Sequence, residues 1–269
     1  MGTIAEKLAY LADTKTAIRA AIEDNGITVS DSDTFRSYAD KISGISGGGV
    51  IYEYMPVLSD VNWYYDATYA DNKYYWKNLI GDQPIIFTGA NLDNSTYSIS
   101  GTSSSYGHMN NIPDLSTSIT LYVVAKCPVV NSLWVFYAHM KCALSGGNYG
   151  ELTVQAVKTY NTVNTSSYNS NLYPNDYLPP ENYTVTVIRT NRTANTYNAF
   201  FNGIKSNSTG TSNTFQPTLT LGAINRGGSY SYSNSQIDYK FIAISAGEHT
   251  DEEVVQNSEW LMNRFEIAA

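Results

Sequence analysis

From Ile119 onward the chain is written in apolar residues at every second position. Ile119, Leu121 and Val123 alternate in this way, as do Leu133, Val135 and Tyr137, then Leu152, Val154 and Ala156. Tyr183, Val185 and Val187 follow, then Tyr197, Ala199 and Phe201, then Leu219 and Leu221, and last the run Tyr239 to Ile244. Side chains leave a strand on opposite faces in turn, so each segment reads as a half-buried strand. Polar links rich in Gly, Asn, Ser and Pro divide them, and none carries a helical period long enough for the crossover that parallel strands need. Antiparallel sheets are therefore expected, packed as a mainly β, two-sheet jelly-roll sandwich. Charged residues make up only 15% of the chain while Tyr numbers 23, a mix that suits strands and polar turns.

The first 42 residues break this pattern. Ile4, Leu8, Leu11, Ile18 and Ile22 recur at four- and three-residue steps, with Lys15 on the missing rung, which is the stripe of a helix that docks on another helix. Asn25-Gly26 tolerates the left-handed backbone of a helix stop. After an extended Ile27-Thr-Val29, the run Ser30-Asp31-Ser32-Asp33 offers N-cap oxygens and negative charge to a second short helix carrying Phe35, Tyr38 and Ile42. Two such helices cannot bury enough surface alone. Residues 1–43 are thus expected to be an attachment or oligomerisation module. Residues 44–57 read as a hinge and lead-in, flexible over Ser43-Gly-Ile-Ser-Gly-Gly-Gly49, and residues 58–269 as the jelly roll. At its end His249-Thr-Asp-Glu-Glu-Val-Val starts a helix with Thr250 or Asp251 as cap, which Val254, Val255, Leu261 and Met262 pack back on the body.

Two resemblances follow from these segments. Lys7-Leu-Ala-Tyr-Leu-Ala-Asp-Thr-Lys15, with Asp31-Ser-Asp-Thr-Phe-Arg-Ser-Tyr-Ala-Asp-Lys-Ile42, resembles the N-terminal segment of many tail, fibre and other virion proteins of bacteriophages that infect gut bacteria. Glu181-Asn-Tyr-Thr-Val-Thr-Val-Ile-Arg, Phe200-Phe-Asn-Gly-Ile-Lys205, Leu219-Thr-Leu-Gly-Ala, Ile237-Asp-Tyr-Lys-Phe-Ile-Ala-Ile and Thr250-Asp-Glu-Glu-Val254 are similar in order and spacing to concanavalin A-like lectin and laminin-G-like jelly rolls. The first covers about a sixth of the chain and the second roughly residues 60 to 265. Together they imply a surface-exposed virion protein made in the cytoplasm of a host bacterium. It would be a homotrimer joined to other virion proteins through residues 1–43, with a lectin-like domain displayed outward.

A formal net charge of −8 repels phosphate backbones and anionic membranes, so neither nucleic acid nor a membrane is an expected partner. No apolar run reaches bilayer length, and the N-terminus lacks the apolar core of a secretory signal. Cys127 and Cys142 sit near opposite ends of what reads as a hairpin, Ile119 to Lys126 with Leu133 to Cys142, and are expected to be free thiols. Some enzymes of the lectin-like superfamily cleave glucans with a Glu-x-Asp-x-x-Glu strand, and this chain has none. Asp251-Glu252-Glu253 is explained by a helix start. Asp176 and Glu181, around Pro179-Pro180, read as solvated loop acids in preference to Ca²⁺ ligands. His108, His139 and His249 have no neighbour at zinc-ligand spacing, and there is no Gly-x-Ser-x-Gly elbow. The expectation is a protein that is not an enzyme and holds no metal or cofactor.

Aromatic residues remain. Tyr64, Tyr65, Tyr74, Tyr75 and Trp76 lie near the joint and read as packing. Tyr168 to Tyr177, and Tyr230 and Tyr232 in Gly227-Gly-Ser-Tyr-Ser-Tyr-Ser-Asn234, read as loop residues. There a ring can stack on a sugar while nearby amides and hydroxyls bind its hydroxyl groups. Tyr173, Asn175, Asp176, Tyr177, Tyr230, Tyr232 and Asn234 are the candidate glycan contacts, expected in loops that cluster at the sheet ends or along the concave face of the sandwich. The leading expectation is a fibre or fibre-tip protein that binds host-surface or mucosal glycans. A purely structural head-decoration, collar or tail component is the second reading, and a glycan hydrolase the third.

Overall fold

A computed structural model describes residues 3–24, 28–38, 41, 52–110, 118–129, 134–143, 149–157, 160–165, 170–174, 178–191, 194, 196–207, 210–211, 214–226 and 229–268. The chain divides into two compact units, Met1–Ile51 and Tyr52–Ala269.

In the first unit a helix runs from Ile4 to Asp24. Thr3 and Glu6 cap it reciprocally: the Glu6 carboxylate accepts the Thr3 N–H at 2.6 Å and the Thr3 hydroxyl accepts the Glu6 N–H at 3.3 Å. The apolar stripe does not serve a single purpose. Ile22 is buried against Val29 and Tyr38, with Ile18 beside them, so the chain's own return covers the second half of the stripe. Lys15, the polar rung, donates to the Asp33 carbonyl at 2.6 Å and lies 5.6 Å from the Tyr38 ring centroid. Ile4, Leu8 and Leu11 stay 80%, 61% and 53% exposed. Asp33 does not cap the following turn, because its carboxylate turns back to accept the Ser30 N–H at 2.6 Å. Thr34 takes the cap, accepting the Ser37 N–H at 3.3 Å. Phe35 is exposed and Tyr38 buried. Ile42, Asn25-Gly26 and the Ser43–Gly49 joint lie outside the described residues.

The second unit is the expected antiparallel two-sheet sandwich. One sheet runs in the order Ile204–Lys205, Thr196–Phe201, Thr184–Asn191, Ile119–Lys126, Ile237–Ser245, Thr96–Ile99, Asn91–Asp93. Val61–Asp66 also pairs with Ile237–Ser245, and Gly210–Thr211 with Thr196–Phe201. The other sheet runs Ser170–Leu172, Tyr160–Thr165, Tyr149–Val157, Trp134–Ala143, Thr214–Leu221, Tyr106–Asn110, Ile85–Thr88, Tyr75–Trp76. Every strand pair described is antiparallel. Ile119–Lys126 and Trp134–Ala143 therefore fall in different sheets and do not form the hairpin read from sequence. Cys127 is a buried free thiol, and burial first, against a hydrogen bond to Val129, pushes its pKa up to about 11.

The first sheet is buried on both faces. Ile119, Leu121, Val123 and Ala125 enter the core between the sheets, while Tyr122 and Val124 on the opposite face meet Val254 and Leu261 of the helix Asp251–Arg264. This double burial is why its strands carry apolar residues on both faces. Thr250 is the helix's N-cap in a full capping box with Glu253. The lead-in residues are tied to the same face. Asn257 mimics a strand partner, accepting the Val57 N–H at 2.9 Å and donating to its carbonyl at 3.0 Å. Arg264 donates to Asp66 at 2.8 Å and pairs with Glu53. Asn202-Gly203 forms the tight turn expected of it, with φ of 49° and 79°.

Tyrosine fills much of the interior, where a buried hydroxyl needs an acceptor. Tyr239 donates to the Tyr137 carbonyl at 2.6 Å, Tyr65 to the Gln83 carbonyl at 2.6 Å, and Tyr97 to the Tyr75 carbonyl at 2.9 Å. Tyr64, Tyr65 and Trp76 belong to this core as expected, but Tyr74 and Tyr75 are exposed.

Candidate functional site

The second sheet has one face in the core and one turned outward. In Ile85–Thr88 the residues Ile85 and Phe87 are buried and Ile86 and Thr88 exposed; in Tyr106–Asn110, Gly107 and Met109 are buried and Tyr106 and His108 half-buried. Gly107 is required at its place, since a Cβ there would meet the Phe87 ring at 2.7 Å. Registry aligns the outward residues. Tyr75 opposes Ile86, Ile86 opposes His108, His108 opposes Thr220, Thr220 opposes His139, and His139 opposes Thr153. Directly opposed residues share a face. Thr220, His139 and Thr153 are buried, so the accessible part of the row is its Tyr75–Ile86–His108 end.

A two-stranded hairpin adds to that end. Gly222, at φ 75°, turns the chain out of Thr214–Leu221 into Ala223–Arg226, which pairs with Ser229–Tyr232. Its amide donates to the Phe136 carbonyl at 3.0 Å, and its carbonyl accepts the Ser233 hydroxyl at 3.2 Å, so both ends of the hairpin are fastened. Tyr230 and Tyr232, two residues apart on one strand, meet Tyr106 with centroid separations of 5.5 Å and 5.9 Å. The His108 ring lies 5.8 Å from Tyr106. Burial, and then neighbouring phenols, push the Tyr230 and Tyr232 pKa values upward, and burial lowers that of His108. The His108 Nδ1 is buried with no hydrogen-bond partner among the described residues. A neutral imidazole and three partly exposed phenols thus share one patch, which offers flat ring faces to a ligand with apolar C–H faces and hydroxyl groups at its rim.

The sequence-derived candidates separate. Tyr230 and Tyr232 are in the patch, though on a strand and not in a loop. Asn234 is exposed just beyond it, with φ 51° and its N–H donated to the Gly101 carbonyl at 2.8 Å. Tyr173 is exposed but follows Ser170–Leu172, at the far edge of the sheet. Five strand spacings of about 4.8 Å part that strand from Tyr106–Asn110, roughly 24 Å, so Tyr173 does not join the patch. Asn175, Asp176 and Tyr177 lie outside the described residues. Tyr75, Ile86 and His108 were missed as contacts. The alternation Ile85-Ile-Phe-Thr88 is hidden by two adjacent isoleucines, and Gly107 between Tyr106 and His108 reads as a turn.

A concavity of about 470 Å³ lies elsewhere, at one end of the first sheet, beside Lys126, Tyr183, Glu181, Asn202 and Glu266. The Lys126 ammonium sits 4.5 Å from the Tyr183 ring centroid and 4.0 Å from Asp238. Burial first pushes the Tyr183 pKa up to about 12. Among the described residues no three His, Cys, Asp or Glu side chains group as a metal site would require. No described helix is long and apolar enough to cross a membrane.

No protein-family model and no curated protein matches the chain. Solved structures match its fold. The binding domain of botulinum neurotoxin serotype D/C VPI 5993 aligns with a TM-score of 0.55 at 12% identity, over 75% of this chain and 52% of that one. The binding domain of Paraclostridial Mosquitocidal Protein 1 gives 0.57 at 9%, over 76% and 53%. A sialidase of Trypanosoma rangeli gives 0.61 at 8%, over 97% and 40%. Binding domains of botulinum neurotoxin DC have been solved in complex with rat synaptotagmin II and with SialylT. The chain spans about half the length of these binding domains, and the likeness at such identity is one of fold.

Proposed function

We propose that this chain is a carbohydrate-binding protein of a bacteriophage particle, of fibre or fibre-tip type. It is made in the host cytoplasm, joined to other virion proteins through residues 1–43 as a homotrimer, and presents its sandwich to host-surface or mucosal glycans without cleaving them. The observation that carries the binding role is the Tyr106, Tyr230 and Tyr232 cluster, three partly open rings brought together by the second sheet and the hairpin beside it. Fold neighbours that are binding domains, one of them in complex with SialylT, support it. The attachment role is supported by the resemblance of residues 7–15 and 31–42 to phage virion segments, and by the apolar Ile4, Leu8 and Leu11 left exposed. Binding without hydrolysis is supported by the missing Glu-x-Asp-x-x-Glu strand.

Immobilised glycans and host cells test the proposal, with Tyr230→Ala and Tyr232→Ala as variants. Each is expected to weaken binding by about 1 kcal/mol, the worth of one stacked ring, with the thermal midpoint little changed. Unchanged adsorption favours a purely structural head-decoration, collar or tail component. A large fall in the midpoint means the rings serve packing.

A further inference from the structure

We propose that the outward face of the second sheet takes an extended, uncharged polysaccharide chain laid across its strands, in preference to a single terminal sugar; this rests on the carbohydrate reading above. Tyr75 and Ile86, 41% and 43% exposed, and the half-buried His108 stand on three successive strands in direct register. At about 4.8 Å per spacing the row from Tyr75 to His108 measures roughly 10 Å. From His108 the trail continues to Tyr106 at 5.8 Å and on to Tyr230 at 5.5 Å. A pyranose is no wider than the phenol on which it stacks, so one sugar covers one step and leaves the others in water. Covering the whole trail removes the most apolar surface from solvent, and only a chain of several sugars does so.

The charge of the ligand follows from what surrounds the rings. Among the described residues no Lys or Arg stacks on Tyr75, Tyr106 or Tyr232; such contacts fall on Tyr74, Tyr183 and other rings. With a formal net charge of −8 the chain as a whole repels an anionic polymer. Ile86, which offers no hydrogen bond, suits the C–H face of a neutral sugar.

The test is calorimetry on the full chain with ladders of neutral β-glucan, mannan and galactan oligosaccharides, from disaccharide to octasaccharide, and a carboxylated galacturonan ladder. Affinity for one neutral ladder is expected to rise with length until the face is covered, and to exceed that for the carboxylated ladder. Tyr75→Ala is expected to weaken octasaccharide binding about fivefold and leave the disaccharide unchanged. Ile86→Ser, a second exposed position, should act in the same direction. Equal affinity at all lengths or equal weakening of short and long ligands overturns the extended chain, tighter binding of the carboxylated ladder overturns its lack of charge, and each leaves the carbohydrate reading standing. Binding of no ladder by the unaltered protein removes both.

Discussion

Tyr230 and Tyr232 hold their rings 16° from parallel, with centroids 6.0 Å apart. Residues two apart on a strand leave the same face, so the backbone itself sets this spacing. The hairpin that carries them is fastened at Gly222 and Ser233, and Tyr106 meets both rings from the main sheet. A site arranged in this way loses little conformational entropy on binding, which is how a small stacking surface becomes useful.

Arg264 is predicted to be the costliest surface-proximal residue to lose. Its side chain is 9% exposed and bonds to Asp66, which is fully buried, while its guanidinium also packs 5.2 Å from the Trp260 ring centroid. Arg264→Met leaves the Asp66 carboxylate buried without a counter-charge, and is expected to cost about 3 kcal/mol by denaturant titration. Adding Asp66→Asn should restore part of that loss. A loss near zero in the single variant would show the pair to be idle.

Thr250→Ala should cost about 1 kcal/mol, because the capping box satisfies two amide donors at the start of the C-terminal helix. Glu253→Ala should cost less, and the double variant less than the sum, since the two caps share one turn. Strict additivity in the thermal midpoints would contradict a reciprocal box.

Acid should loosen the N-terminal unit. The Ser30 amide, and after it Lys41 against some burial, holds the Asp33 carboxyl below its ordinary 3.8. A depressed folded value means that this stabilisation is present above the unfolded value and is lost as pH falls from about 4 through the folded one. Amide exchange at Ile22 and Val29 should therefore quicken below pH about 4 in the native chain, and less steeply in Asp33→Ala. Identical profiles would remove Asp33 from the account.

Much of the sandwich could be read from sequence because its later strands alternate cleanly, and Asn202-Gly203 and Thr250 announce their turn and cap. The earlier strands could not. Val61–Asp66 reads Val-Asn-Trp-Tyr-Tyr-Asp, and four of its residues are buried in succession because Trp63 and Tyr65 enter one core while Tyr64 enters another. The candidate site was half legible. Tyr230 and Tyr232 stood out, but the Gly-Gly and Ser around them resembled a loop, and their partner Tyr106 comes from a strand more than a hundred residues away. The N-terminal stripe was visible as a period, yet which half the chain covers itself depends on Val29 and Tyr38, whose return no local pattern specifies.

The most direct measurement is a map of which residues change their nuclear magnetic resonance signals when a bound glycan is titrated into the full chain. The account predicts shifts at Tyr75, Ile86, Tyr106, His108, Tyr230 and Tyr232, with Lys126, Tyr183 and Glu266 unmoved. Shifts centred on the Lys126 and Tyr183 cleft, with the tyrosine face silent, would contradict it.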